Sequence, residues 1–133
     1  MRGPMHGVIR QAHAVAAWLI VVAILVQVWL AGSAIPQLGG SGSFAPHIDF
    51  GYLIGLFILI LLILAIVARA GRRRIGQAAG LLVLYVIQTS LPYMDPALPA
   101  AAALHPVNAL VMFGLAVWYA RTVWRERAEP VAA

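Results

Sequence analysis

The sequence predicts an all-α integral membrane protein, a four-helix antiparallel bundle with both termini and one Arg-rich loop in the cytoplasm. Three observations carry that expectation. The 133 residues are 63% hydrophobic and 10% charged, too few polar groups to cover the exterior of a soluble domain of this size. The apolar residues gather into four runs of membrane-crossing length. All nine positive charges fall where only one side of a membrane would receive them.

The first run extends from about His13 to Ala31, within a helix expected over roughly 11–32. Arg2 and Arg10 precede it and Ala31-Gly32-Ser33-Ala34 follows, which has the outline of a signal peptide. At about 20 residues the run is too long for a typical signal-peptide core and right for a span, so it is read as retained. Gly32 to Pro46 is a Gly/Ser/Pro-rich connection. The second helix, expected over 47–69, contains LIGLFILILLILAIVA and stops at Arg69. ARAGRRRIGQ then makes a tight basic turn. The third run, Ala78 to Leu91, is the shortest. A start near Ile75 restores its length and gives a helix over 75–92, broken by Pro92. PYMDPALPAAAA leads into the fourth helix, over 104–125. In lipid only helices or closed barrels satisfy their backbone polar groups, and continuous apolar runs of this length are helical. One four-helix domain uses the whole chain.

Orientation comes from arginine. There is no Lys, and the nine Arg residues are 2, 10, 69, 72, 73, 74, 121, 125 and 127. They flank helix 1 at its start, join helices 2 and 3, and close helix 4, while the other two loops contain none. The positive-inside rule places that side in the cytoplasm of a multi-pass protein of the inner (cytoplasmic) membrane. Trp18, Trp118 and Trp124 lie towards that side and Trp29 and Tyr93 towards the other, as an interfacial aromatic belt requires. A net charge of +5 on a soluble chain would suggest nucleic acid. With arginine confined to helix ends it signals topology and membrane lipid instead, and nucleic acid is not an expected partner. The absence of Cys excludes disulfides and thiolate metal sites.

A weak internal repeat underlies the topology. Gln27-Val28-Trp29-Leu30 ends the first helix, and after a loop His47 opens the second, with Gly51 four residues on. Gln88-Thr89-Ser90-Leu91 ends the third, and His105 opens the fourth, with Ala109 four residues on. Both halves run in the same sense, so the repeat is parallel about an axis along the membrane normal.

Polar groups inside a membrane are expensive and are functional candidates by default. His47 and His105 share one depth on helices that face each other diagonally in such a bundle. Two imidazoles meeting across the axis are what a six-coordinate heme iron needs. Gly51 and Ala109, one turn deeper, leave helix surface free for a porphyrin edge. The competing expectation is a pair of wetted interfacial histidines. Gln27 and Gln88 suit hydrogen bonds between helices, with a heme edge or quinone headgroup as the alternative contact. Asn108 suits packing or a water contact. Gly51-x-x-x-Gly55 would serve either the heme face or a dimer face. His13 reads as a snorkelling or helix-packing residue; a second heme would need a partner such as His6, in a Gly/Pro segment ahead of the helix and expected to be mobile. Asp49 suits the N-terminal dipole of helix 2. Arg72-Arg73-Arg74 marks topology first and anionic lipid second.

The order Gln27-x-x-Leu30-Ala31-Gly32, His47, Gln88 and His105 resembles one four-helix half of heme A synthase, an oxidase-assembly family. That family has two such halves, each placing a His on its second and fourth helices around a heme. The resemblance implies heme b with His47 and His105 as axial iron ligands, in electron transport or heme handling beside the respiratory chain. The chain departs from the catalytic half of the family at Phe44, where a Glu stands three residues before the His, and at Ile48, commonly Arg. Any enzymatic activity would be that of a heme-dependent membrane oxidoreductase, and no residue is assigned a catalytic role. A homodimer would rebuild the eight-helix arrangement. The rival expectation is a heme-free accessory or structural subunit of a larger membrane complex. A transporter fits least, because no acidic residue lies deep in a span.

Overall fold

The computed structural model describes residues 4–94 and 98–127. Arg2, Asp95 and Glu129 lie outside the described residues. The spans are α1 (Pro4–Ala34), α2 (Ala45–Val67), α3 (Arg72–Ser90) and, after a short α4 (Pro99–Ala102), α5 (Leu104–Glu126). Four helices are long and apolar enough to cross a membrane. No strand occurs among the described residues. The protein is an all-α four-helix bundle.

Two boundaries depart from expectation. α1 begins at Pro4, well before residue 11. Proline is accommodated in a first helical turn, where its missing N–H has no intrahelical partner. His6 therefore lies in a helix, not in a loose leader. α3 begins at Arg72, so the three consecutive arginines form its first turn instead of the loop before it. The turn itself is Arg69 to Gly71, with both of those residues at positive φ, 52° and 83°.

The link from α1 to α2 is held by backbone bonds. Pro36 to Leu38 forms a 3-10 turn, and the N–H groups of Gly40, Ser41 and Gly42 donate to the carbonyls of Ile35, Ser33 and Ala34 at 2.9, 3.0 and 2.9 Å. These bonds satisfy carbonyls that the end of α1 would leave open. Gly40 is required there, because a side chain would meet the backbone of Ser33 and Ile35.

α1 packs on α2 and α5, and α3 packs on the same two helices, leaving α1 facing α3 and α2 facing α5 across the diagonals. The core repeats with the sequence. Ile54, Ile58, Leu61 and Ala65 are buried on α2, and Met112, Ala116, Tyr119 and Val123 on α5. These are the same four positions counted from His47 and from His105. Ala17 and Ile20 on α1 correspond likewise to Ala78 and Leu81 on α3, counted back from Gln27 and Gln88. The parallel repeat thus describes the packing as well as the polar residues. Outward, large apolar side chains such as Leu110, Val28 and Leu56 are exposed, as a surface solvated by lipid tails requires.

Candidate functional site

His47 is the third residue of α2 and His105 the second of α5. At the ends of diagonal helices, their rings approach with centroids 6.2 Å apart and planes at 66°. Each is anchored in the same way. The Nδ1–H of His47 donates to the backbone carbonyl of Gln27 at 3.1 Å. That of His105 donates to the carbonyl of Gln88 at 2.9 Å. A carbonyl only accepts, so the proton of each neutral ring sits on Nδ1 and Nε2 keeps a bare lone pair. The amide groups agree: Gln27 Nε2 lies 3.3 Å from His47 Nε2, and Gln88 Nε2 lies 3.1 Å from His105 Nε2. An Nδ1–H held by a carbonyl is the usual companion of a metal-ligating Nε2, since it fixes the tautomer and raises the basicity of the ring.

The glutamines are the part sequence reasoning undervalued. Their side chains were expected to matter, but the bond common to both halves comes from their main-chain oxygens, to which residue identity gives no clue. The halves also differ. Gln88 Oε1 accepts from Asn108 Nδ2 at 2.7 Å, and Asn108 donates as well to the Leu84 carbonyl at 3.0 Å. The residue equivalent to Asn108 in the first half is Phe50. Gln27 Nε2 donates instead to the His47 carbonyl at 2.7 Å, and its buried Oε1 has no hydrogen-bond partner.

The glycine pattern closes the bundle on itself. A side chain at Gly51 would meet Gln27 Nε2 at 2.9 Å, and one at Gly55 would strike the Tyr85 ring. Both notches are filled from within the chain, by α1 and α3. Gly51 therefore faces the amide that lies beside His47, and Gly55 packs against Tyr85. Ala109 is half-buried one turn below His105. Asp49 lies in the second turn of α2, whose first turn has no acidic residue, and it does not cap the helix. Beyond it, the Tyr52 and Tyr93 hydroxyls share a hydrogen bond of 3.1 Å.

A second polar group occupies the opposite, basic end. His13 is 2% exposed and its Nε2 lies 2.7 Å from the Tyr119 hydroxyl, with the rings edge to face at 5.7 Å. Packing is the role expected for His13, and a hydroxyl partner inside the bundle fits it. Nearby, Arg74 Nε donates to both carboxylate oxygens of Glu126 at 3.1 Å, and Arg10 donates to the Glu126 carbonyl. Arg127 donates to Gln11 at 2.9 Å and stacks on Trp124. α1, α3 and α5 are tied together there. No group of three or more metal-ligating side chains occurs among the described residues.

No curated protein and no solved structure matches this chain. A family model does match, over residues 27–93. The matched stretch opens on Gln27, takes in His47, Gly51 and Gln88, and stops before His105. It spans half of the chain, and the protein belongs to DUF6220, a family of unknown function.

Proposed function

We propose that this protein binds one heme b between His47 and His105 and serves electron transfer or heme handling in the cytoplasmic membrane. The observation that carries the reading is the spacing of the two anchored rings. An imidazole–metal bond is about 2 Å and a ring centre lies about 1 Å behind its nitrogen, so two imidazoles sharing one metal have centres about 6 Å apart. The observed separation is 6.2 Å. Both Nε2 lone pairs are free of protons, and Gln27 and Gln88 hold both rings through Nδ1. Two interfacial histidines exposed to water would have no reason to share this arrangement.

Bound heme would supply one-electron redox chemistry. The residues of the chain supply the rest. The Gln27 and Gln88 carbonyls keep the rings aimed and strengthen them as donors. Their amides, which now touch the two Nε2 atoms, are the groups that would give way and lie along the cofactor edge, beside Gly51 and Ala109. Two axial histidines leave no open position for oxygen, which favours electron transfer or carriage over oxygen activation.

The likeness to one half of heme A synthase supports the same reading, within limits. Phe44 stands where the catalytic half of that family has its Glu, and Asp49 is exposed, so no carboxylate among the described residues is offered for oxidation of a heme methyl group. Two copies of the chain would restore the family's eight helices, and a respiratory or other membrane complex is the partner class that the electron-transfer reading requires.

The test is the absorption spectrum of detergent-purified protein, oxidised and dithionite-reduced. The expected result is a Soret band with sharp reduced bands, lost in His47→Ala and in His105→Ala and kept in His13→Ala. Colourless protein, or a band unchanged in His105→Ala, overturns the reading and returns the chain to the class of heme-free accessory subunits.

A further inference from the structure

A groove of about 420 Å³ runs along the outer face of α5 towards the basic end. Its lining changes character in one direction. Phe113, Gly114 and Val117 form the deep, apolar part, Trp118 and Thr122 the middle, and Arg121 and Arg125 the mouth. Nothing lies within 4 Å of where a Gly114 side chain would begin, so the floor of the groove is open. Trp118 is 48% exposed, and Arg73 of α3 leans over its ring at 5.7 Å, adding a third cation to the mouth.

Among the described residues these cations lack counter-charges. Glu126 is engaged by Arg74, and Asp49 lies at the far end of α2. Neither Arg121 nor Arg125 has an acidic partner among the described residues. Arginines with no acidic partner among the described residues, at the headgroup level of a span, draw anions from the membrane surface.

We infer that this groove is a binding site for one anionic phospholipid, phosphatidylglycerol being the simplest. The order of chemistry along α5 matches the order along such a lipid. Arg121, Arg125 and Arg73 meet the phosphate, Trp118 and Thr122 lie at the glycerol and ester level, and an acyl chain follows Val117 over Gly114. A zwitterionic lipid such as phosphatidylcholine has the same phosphate and chains but adds a cationic ammonium group, which three arginines repel. The site is independent of the heme reading and lies at the opposite end of the bundle.

The experiment uses a full-length chain with Trp18, Trp29 and Trp124 changed to Phe, leaving Trp118 as reporter. It is reconstituted in phosphatidylcholine vesicles, and quenching by phosphatidylglycerol brominated on its acyl chain is compared with quenching by equally brominated phosphatidylcholine. Phosphatidylglycerol is expected to bind preferentially, with about a fivefold loss of preference for each of Arg121→Gln and Arg125→Gln at low salt. The twofold greater charge loss of Arg69→Gln with Arg72→Gln leaves the preference in place, and Gly114→Leu weakens quenching by both lipids. Inorganic phosphate at matching concentration fails to displace the lipid. Equal quenching by the two lipids overturns the proposal, as does equal loss in the Arg69/Arg72 variant or displacement by free phosphate. Should the tryptophan variant fold poorly, native mass spectrometry of the unaltered chain decides instead: retention of phosphatidylglycerol over phosphatidylcholine is expected, and equal retention overturns the proposal.

Discussion

The two ends of the bundle spend their polar residues in opposite ways. At the histidine end the groups come in matched sets, Gln27 with His47 and Gln88 with His105, and in each set the ring donates its Nδ1–H to the glutamine carbonyl. At the basic end His13, Tyr119, Arg74 and Glu126 follow no repeat and satisfy one another. The position equivalent to His13 is Arg74, and the one equivalent to Tyr119 is Leu61. Symmetry kept at one end and abandoned at the other sets the proposed ligand site apart from a lock between helices. Buried polar groups that are fully paired stabilise one arrangement. The two Nε2 lone pairs, which now accept from the Gln27 and Gln88 amides, would gain from a shared metal only once those amides give way.

That contrast can be broken by experiment. The largest effect belongs to the histidines: His47→Ala or His105→Ala should abolish the Soret band, and a similar loss in His13→Ala would erase the distinction between the ends. Next comes the ion pair. Glu126→Gln leaves Arg74 without its carboxylate, and since the Glu126 side chain is 40% exposed, the loss should be about 1–2 kcal/mol, well below the range for a fully buried pair. Denaturation in mixed micelles measures it, and the heme spectrum should not move. Tyr119→Phe removes the partner of a buried imidazole and should destabilise by about 1 kcal/mol without spectral change. The smallest effect sharpens the comparison within the histidine end. Asn108→Leu leaves Gln88 Oε1 in the unpartnered condition of Gln27 Oε1, at about 0.6 kcal/mol, the mean for hydrogen bonds between membrane helices. A much larger loss would show that the two halves are not held alike.

Much of the architecture was legible because the membrane imposes a simple code. Long apolar runs must be helices, and arginine at the run ends on one side orders them. The histidine pair was legible through the repeat, since matched distances from Gln27 and Gln88 survive without knowledge of any contact. The contacts of the basic end were not. A diagonal placement of α2 and α5 makes α1 and α5 neighbours, but nothing in the sequence says that Tyr119 and His13, 106 residues apart, meet there, and Glu126 has the look of an ordinary helix-end charge. Gly55 shows the same limit. Its spacing from Gly51 announces a close approach, but only packing identifies the visitor as Tyr85. The early start of α1 was hidden because Gly7 and His6 weaken an apolar pattern that the helix nevertheless continues.

The turn at Arg69 to Gly71 has a consequence for assembly. On either side of it stands a helical hairpin equipped with one imidazole and the carbonyl that steadies it. Neither hairpin owns a complete ligand set, so the proposed coordination by two histidines would be a property of their docking. Colour would therefore report the meeting of the hairpins, and a chain nicked in that turn could be followed by eye as its pieces come together.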